Sequence, residues 1–85
     1  MDYFKVSPKI GINTESYWVG ASSPEAARRL IALNIPKASD AENPSKFDCV
    51  ANSHKEPPEG FIHCSHFGPL AMTEPLAAPE GPVEP

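Results

Sequence analysis

The chain has 85 residues and a mass of 9.2 kDa, with 40% hydrophobic, 21% charged and 8% aromatic residues, a balance that allows one small core and excludes a fully disordered chain and a membrane-embedded one. Eleven prolines rule out long uninterrupted helices and a continuous heptad pattern. Seven Lys and Arg against eleven Asp and Glu give a net charge of −4; Glu74, Glu80 and Glu84 lie in residues 73–85, which hold no base, so the remainder is nearly neutral.

In chain order, Tyr3-Phe4-Lys5-Val6-Ser7 alternates as a half-buried strand does, with Phe4 and Val6 on one face, and Pro8 ends it. A loop through Gly11 and Asn13 leads to Glu15–Ala21, whose Tyr17, Trp18 and Val19 suit a pleated surface. These two strands are expected to form a hairpin. Next, Ser22 or Ser23 caps a predicted helix that has Pro24 in its first turn, Glu25 at its positive end, and a stop at Asn34 before Pro36. At 100° per residue, Leu33, Ala26, Leu30, Ala27 and Ile31 share one arc, which is predicted to pack on the sheet. Residues 37–46 show no apolar period and read as an exposed connection with room for a short turn of helix.

Phe47–Asn52 and Gly60–Phe67 look like two further strands joined by a polar loop that contains Pro57-Pro58, a second hairpin. After Leu70-Ala71-Met72 the composition changes: four of the thirteen residues from Thr73 to Pro85 are proline, and such a stretch cannot bury enough apolar surface to order itself. The expected architecture is α+β: a small antiparallel sheet in ββαββ order with one amphipathic helix on one face. Residues 1–72 form the compact domain, and 73–85 an extended proline-rich tail.

Both cysteines and all three histidines fall between Cys49 and His66. If the second hairpin closes symmetrically, Cys49 lies opposite Cys64, and His66 shares the face of Cys64. With His54 from the loop, Cys49, Cys64 and His66 would then make a set that tetrahedral zinc accepts. The spacing matches neither C-x2-C nor H-x3-H, so the expectation is no cofactor, with the cysteines acting as small buried apolar groups; a zinc-stabilised binding module is the alternative. Cysteine catalysis is disfavoured by geometry: along a strand His63 points away from Cys64 and His66 lies about 7 Å further on. No phosphate loop, nucleophile elbow or paired-carboxylate motif is present, and the chain is not expected to be an enzyme.

No run approaches the ~20 apolar residues of a membrane span, and Met1–Lys5 enters a strand without a basic-then-apolar leader. A cytoplasmic location with free thiols follows as the default. Arg28-Arg29 is the densest basic pair, too little for a phosphate-binding stripe, and isolated charges of this kind mostly form a solvated helix face. What these features predict is a non-enzymatic interaction protein bound to another protein or complex, as an accessory subunit or as a compact inhibitor of the kind mobile elements encode. Its expected contacts are the aromatic strand residues Tyr17 and Trp18, and Leu76 and Val83 of the acidic tail. Because Tyr17 and Trp18 point to opposite faces, one helix cannot cover both, and the second needs the tail or a partner as its cover.

Overall fold

The computed structural model describes residues 2–11, 14–51 and 54–73. They form strands β1 (Asp2–Pro8) and β2 (Tyr17–Ala21), helix α1 (Pro24–Asn34), a 3-10 turn at Pro36–Ala38, and strands β3 (Phe47–Ala51), β4 (Phe61–Cys64) and β5 (Gly68–Ala71). The sheet is antiparallel throughout, in the order β3-β1-β2-β4-β5, and one helix lies on it: a small α+β fold.

Local chemistry accounts for most of these elements. Phe4 pairs with Val19 and Val6 with Tyr17 across the β1–β2 hairpin, so the apolar alternation of β1 meets the β-branched and aromatic residues of β2 on one face. Ser23 caps α1: its hydroxyl accepts from the Ala26 N–H at 3.1 Å, and its backbone is extended (φ −157°, ψ 162°), as a cap residue's should be. The helix stops because Ile35 precedes Pro36 and is driven into the extended region (φ −120°, ψ 103°). Ala27, Leu30 and Ile31 then face Phe4, Val6, Val19 and Ile62; Val6, Val19, Ile31 and Ile62 are fully buried, each contributing about 1.5–3 kcal/mol of transfer free energy.

Three expectations change. The second hairpin is not β3 with β4: β3 pairs with the outer edge of β1, and β4 with the outer edge of β2. A fifth strand, β5, pairs with β4 instead. It begins at Gly68, whose φ of +85° is open to glycine and strained for other residues. The connection over 37–46 is not simply exposed either, since Ala38 and Ala41 are fully buried. Arg28 holds that connection down: its Nη1 donates to the carbonyls of Ala41 (3.1 Å) and Phe47 (3.0 Å), so this arginine is a brace rather than a solvated charge. Residues 74–85, including Leu76 and Val83, lie outside the described residues.

Candidate functional site

The strand order decides the fate of the Cys/His cluster. Cys49 pairs with Val6 on one side of the central hairpin and Cys64 pairs with Tyr17 on the other, so three inter-strand steps, about 14 Å, separate the two strands. Two thiolates on one zinc, with bonds of about 2.3 Å, require them as near neighbours; the expected facing of Cys49 and Cys64 is overturned. His54 follows β3 and is exposed, and His66 sits in the β4–β5 turn. Among the described residues no group of three or more His, Cys, Asp and Glu is gathered as a metal site would need.

The thiols are also tuned away from reactivity. Burial pushes the Cys64 thiol up, and the nearby Glu15 carboxylate adds to it; burial likewise raises Cys49, against a smaller lowering by Arg28 and a further rise from Glu25. An activated nucleophile needs the opposite shift. Neither flanking histidine serves Cys64 as a base: His63 is paired with Trp18 on the other sheet face, and the Nδ1 of His66 faces Glu15 Oε1 at 3.3 Å.

Glu15 is a residue that pattern reading passed over. Its carboxylate, largely shielded from solvent, accepts from the backbone N–H groups of His66 and, at 3.2 Å, Phe67. Beside it, the Ser65 hydroxyl accepts from the Ser16 N–H and the Ser65 N–H donates to the Ser16 carbonyl, both at 2.9 Å. The segment before β2 thus ties down the β4–β5 turn.

Tyr17 and Trp18 are both buried, so neither supplies the exposed aromatic surface expected of it. Tyr17 belongs to the helix-side core, where burial, with Glu15 and Cys64 nearby, raises its hydroxyl pKa. Trp18 is 6% exposed on the face that carries no helix. Its covers are Lys5, Lys55 and His63: the ammonium groups lie 5.6 and 5.5 Å from the ring centroid, and the imidazole meets the ring at 5.5 Å and 61°. Lys55 belongs to the β3–β4 connection, so among the described residues that connection answers the need for a second cover. Among the described residues the buried Trp18 Nε1–H has no hydrogen-bond partner; a buried donor left so costs about 1–3 kcal/mol.

Exposed apolar surface lies elsewhere. Helix α1 packs chiefly on β1, β2 and β3, and among the described residues the helix-side face of β5 is only partly covered. Leu70 shares that face with its partner Ile62 and is 39% exposed, with Leu33 50% and Phe67 74% exposed. Leu33, expected in the packed arc, lies about 140° round the helix from Arg28; since Arg28 faces the β3 side, Leu33 faces β4 and β5 and overhangs the core. Two contacts run the end of the helix alongside β5: the Thr73 N–H donates to Asn34 Oδ1 at 2.8 Å, and the Lys37 ammonium lies 5.4 Å from the Phe67 ring centroid. The result is an apolar shelf of Leu33, Leu70 and Phe67. Its signal in the sequence was Phe67-Gly68-Pro69-Leu70, an apolar pair split by two turn residues.

No helix among the described residues is long and apolar enough to cross a membrane. The chain matches no family model, no curated protein and no solved structure.

Proposed function

We propose that this protein is a small non-enzymatic interaction module, an accessory subunit or an inhibitor, that docks another protein on the shelf between the end of α1 and strand β5. The observation that carries this reading is the exposure of Leu33, Leu70 and Phe67 on one side of a body whose Tyr17 and Trp18 are buried. Apolar and aromatic residues rimmed by polar ones are the usual centre of a protein interface, and here Lys37 and Asn34 supply part of the rim. Among the described residues the outer edge of β5 pairs with no strand, and its backbone groups are ones that an extended partner segment pairs with. The acidic stretch with Glu74, Glu80 and Glu84 follows in sequence on Thr73, which is bonded to Asn34, and provides a second, charge-based contact to a basic partner surface.

The test compares the natural chain with Leu33→Glu and Leu70→Glu, both at exposed positions, in co-purification from the native host. The reading requires one and the same protein to be recovered with the natural chain and lost with both variants while their melting temperatures stay unchanged. Recovery of that protein with the variants refutes the shelf as the docking surface.

A further inference from the structure

The two outer strands of the sheet differ in what their edges offer. Along an antiparallel ladder, pairs that exchange backbone bonds alternate with pairs whose N–H and C=O groups turn away. On the β5 side the Met72 N–H donates to the Gly60 carbonyl at 2.8 Å, in register with the β4–β5 ladder, so Gly68 and Leu70 bond toward β4 while Pro69, Ala71 and Thr73 turn outward. Proline has no N–H, and the Thr73 N–H is taken by Asn34 Oδ1. Ala71 keeps both groups open, enough for one pairing contact beside the shelf and too little to continue the sheet. Blunting of this kind is how native proteins keep an edge from being extended.

The β3 edge is built differently. The Lys9 N–H donates to the Lys46 carbonyl at 2.9 Å, in register with the β1–β3 ladder, so Asp48 and Val50 bond toward β1 while Phe47, Cys49 and Ala51 turn outward. Phe47 is already engaged: its N–H donates to the Asn43 carbonyl at 3.1 Å and its own carbonyl accepts from Arg28. The outward backbone groups of Cys49 and Ala51 meet no partner among the described residues. No proline interrupts Phe47–Ala51, its one charge, Asp48, lies 3.8 Å from the Lys9 ammonium, and Val50, on the face away from the helix, is 55% exposed. A long apolar edge left open is a template for another strand.

We infer that β3 pairs antiparallel with β3 of a second copy of this chain, joining two sheets into one across a two-fold axis at Val50. In that register Cys49 of each copy exchanges backbone hydrogen bonds with Ala51 of the other, so both open residues of both copies are satisfied, as a self-complementary two-fold contact requires. Val50 meets Val50 of the second copy as a non-hydrogen-bonded pair, with Cα atoms about 4.5 Å apart, and two β-branched side chains cover one another there. On the helix side the seam carries only the small side chains of Cys49 and Ala51. A slip that sets Cys49 opposite Cys49 would bring Phe47, whose groups are taken, opposite Ala51. The contact is short and belongs to the small, weak class of interfaces, so it forms and dissolves with concentration.

Sedimentation equilibrium of the full chain, from micromolar to about 1 mM, is the test. The mean mass should rise from 9.2 kDa toward twice that value, and over the same range the amides of Cys49 and Ala51 should gain protection from hydrogen exchange. Val50→Lys places like charges on the axis, and Ala51→Pro removes one outward N–H while leaving the β1–β3 ladder intact; each should weaken association about tenfold or more, with folding checked by circular dichroism. If the proline variant fails to fold, the lysine variant and the exchange measurement carry the test. Leu33→Glu/Leu70→Glu should associate as the natural chain does. The inference is overturned if the natural chain stays at 9.2 kDa throughout, if Val50→Lys associates as well as the natural chain, or if the Leu33→Glu/Leu70→Glu variant abolishes association, which would place the self-contact on the shelf.

Discussion

Removing the Glu15 carboxylate is the perturbation that most directly tests how the β4–β5 end is built. In Glu15→Ala, the His66 and Phe67 N–H groups lose their acceptor. Hydrogen bonds to a charged group are worth about 1.5–3 kcal/mol each where both partners are buried. The turn is exposed, so the freed N–H groups rehydrate and the loss falls to about 0.5–1 kcal/mol apiece. The His66 imidazole, half-exposed at 3.3 Å, adds little, as exposed ion pairs generally do. A total of about 1–2 kcal/mol follows, which for a domain of this size lowers the melting temperature by roughly 4–16 °C. Glu15→Gln keeps a neutral acceptor and should lose about half as much. The assay is a thermal melt with amide hydrogen exchange on the folded state: exchange should quicken at His66 and Phe67 and stay unchanged in α1. An unaltered melt together with unaltered protection at those two amides refutes the clamp.

The core and the thiols give two further expectations. Leu30→Ala, at a buried position on the face of α1 that meets the sheet, should cost about 2–4 kcal/mol by chemical denaturation; a cost below 1 kcal/mol would mean the helix is turned differently. Cys49, Cys64 and Tyr17 all have pKa values raised by burial above the ordinary 9.0 for a thiol and 10.0 for a phenol. Below its ordinary value each group is protonated in both states and the full stability is present; above that value the unfolded chain ionises first, so stability is lost as pH rises through 9 and 10 toward the raised native values. Melting temperature should be flat in this respect up to about pH 8 and fall above pH 9, with Cys49→Ala/Cys64→Ala showing a shallower fall; an equally steep fall in that variant contradicts the assignment.

Local pattern made β1, β2, α1 and both cores of β3 and β4 legible: the alternation of Phe4 and Val6, the Ser23-Pro24-Glu25 start and the Pro36 stop are signals contained in a few neighbouring residues. Pairing is not such a signal. The stretch 52–60 looks like a hairpin loop, yet nine extended residues reach about 30 Å, ample for crossing the three strand steps between β3 and β4, so length alone does not choose between turning back and crossing over. Strand β5 was hidden because Gly68 and Pro69 read as breakers; at a sheet edge proline is tolerated. The site readings inherited the pairing error. A β3–β4 hairpin would set Cys49 and Cys64 face to face and leave Trp18 without a cover, whereas the connection that bears Lys55 crosses the sheet and brings that side chain over the indole. The roles of Glu15 and Arg28 depend on partners 51 and 19 residues away, a separation that no local period records.

The placement of β3 and β4 on opposite edges of one hairpin also bears on how the chain assembles. Strands β1 and β2 pair as a hairpin and β3 pairs with β1, so the residues up to Ala51 contain a three-stranded layer and its helix, and β4 follows them in the chain. Until then β2 presents an unpaired edge, and Val19 and Ile31 lack Ile62 above them. Contacts spanning long stretches of sequence form slowly, and an open edge is a template for the wrong neighbour. Chain order therefore makes docking of the β4–β5 hairpin the expected last step during synthesis, with Ser16 and Glu15, bonded to Ser65, His66 and Phe67, as the latch that seals it.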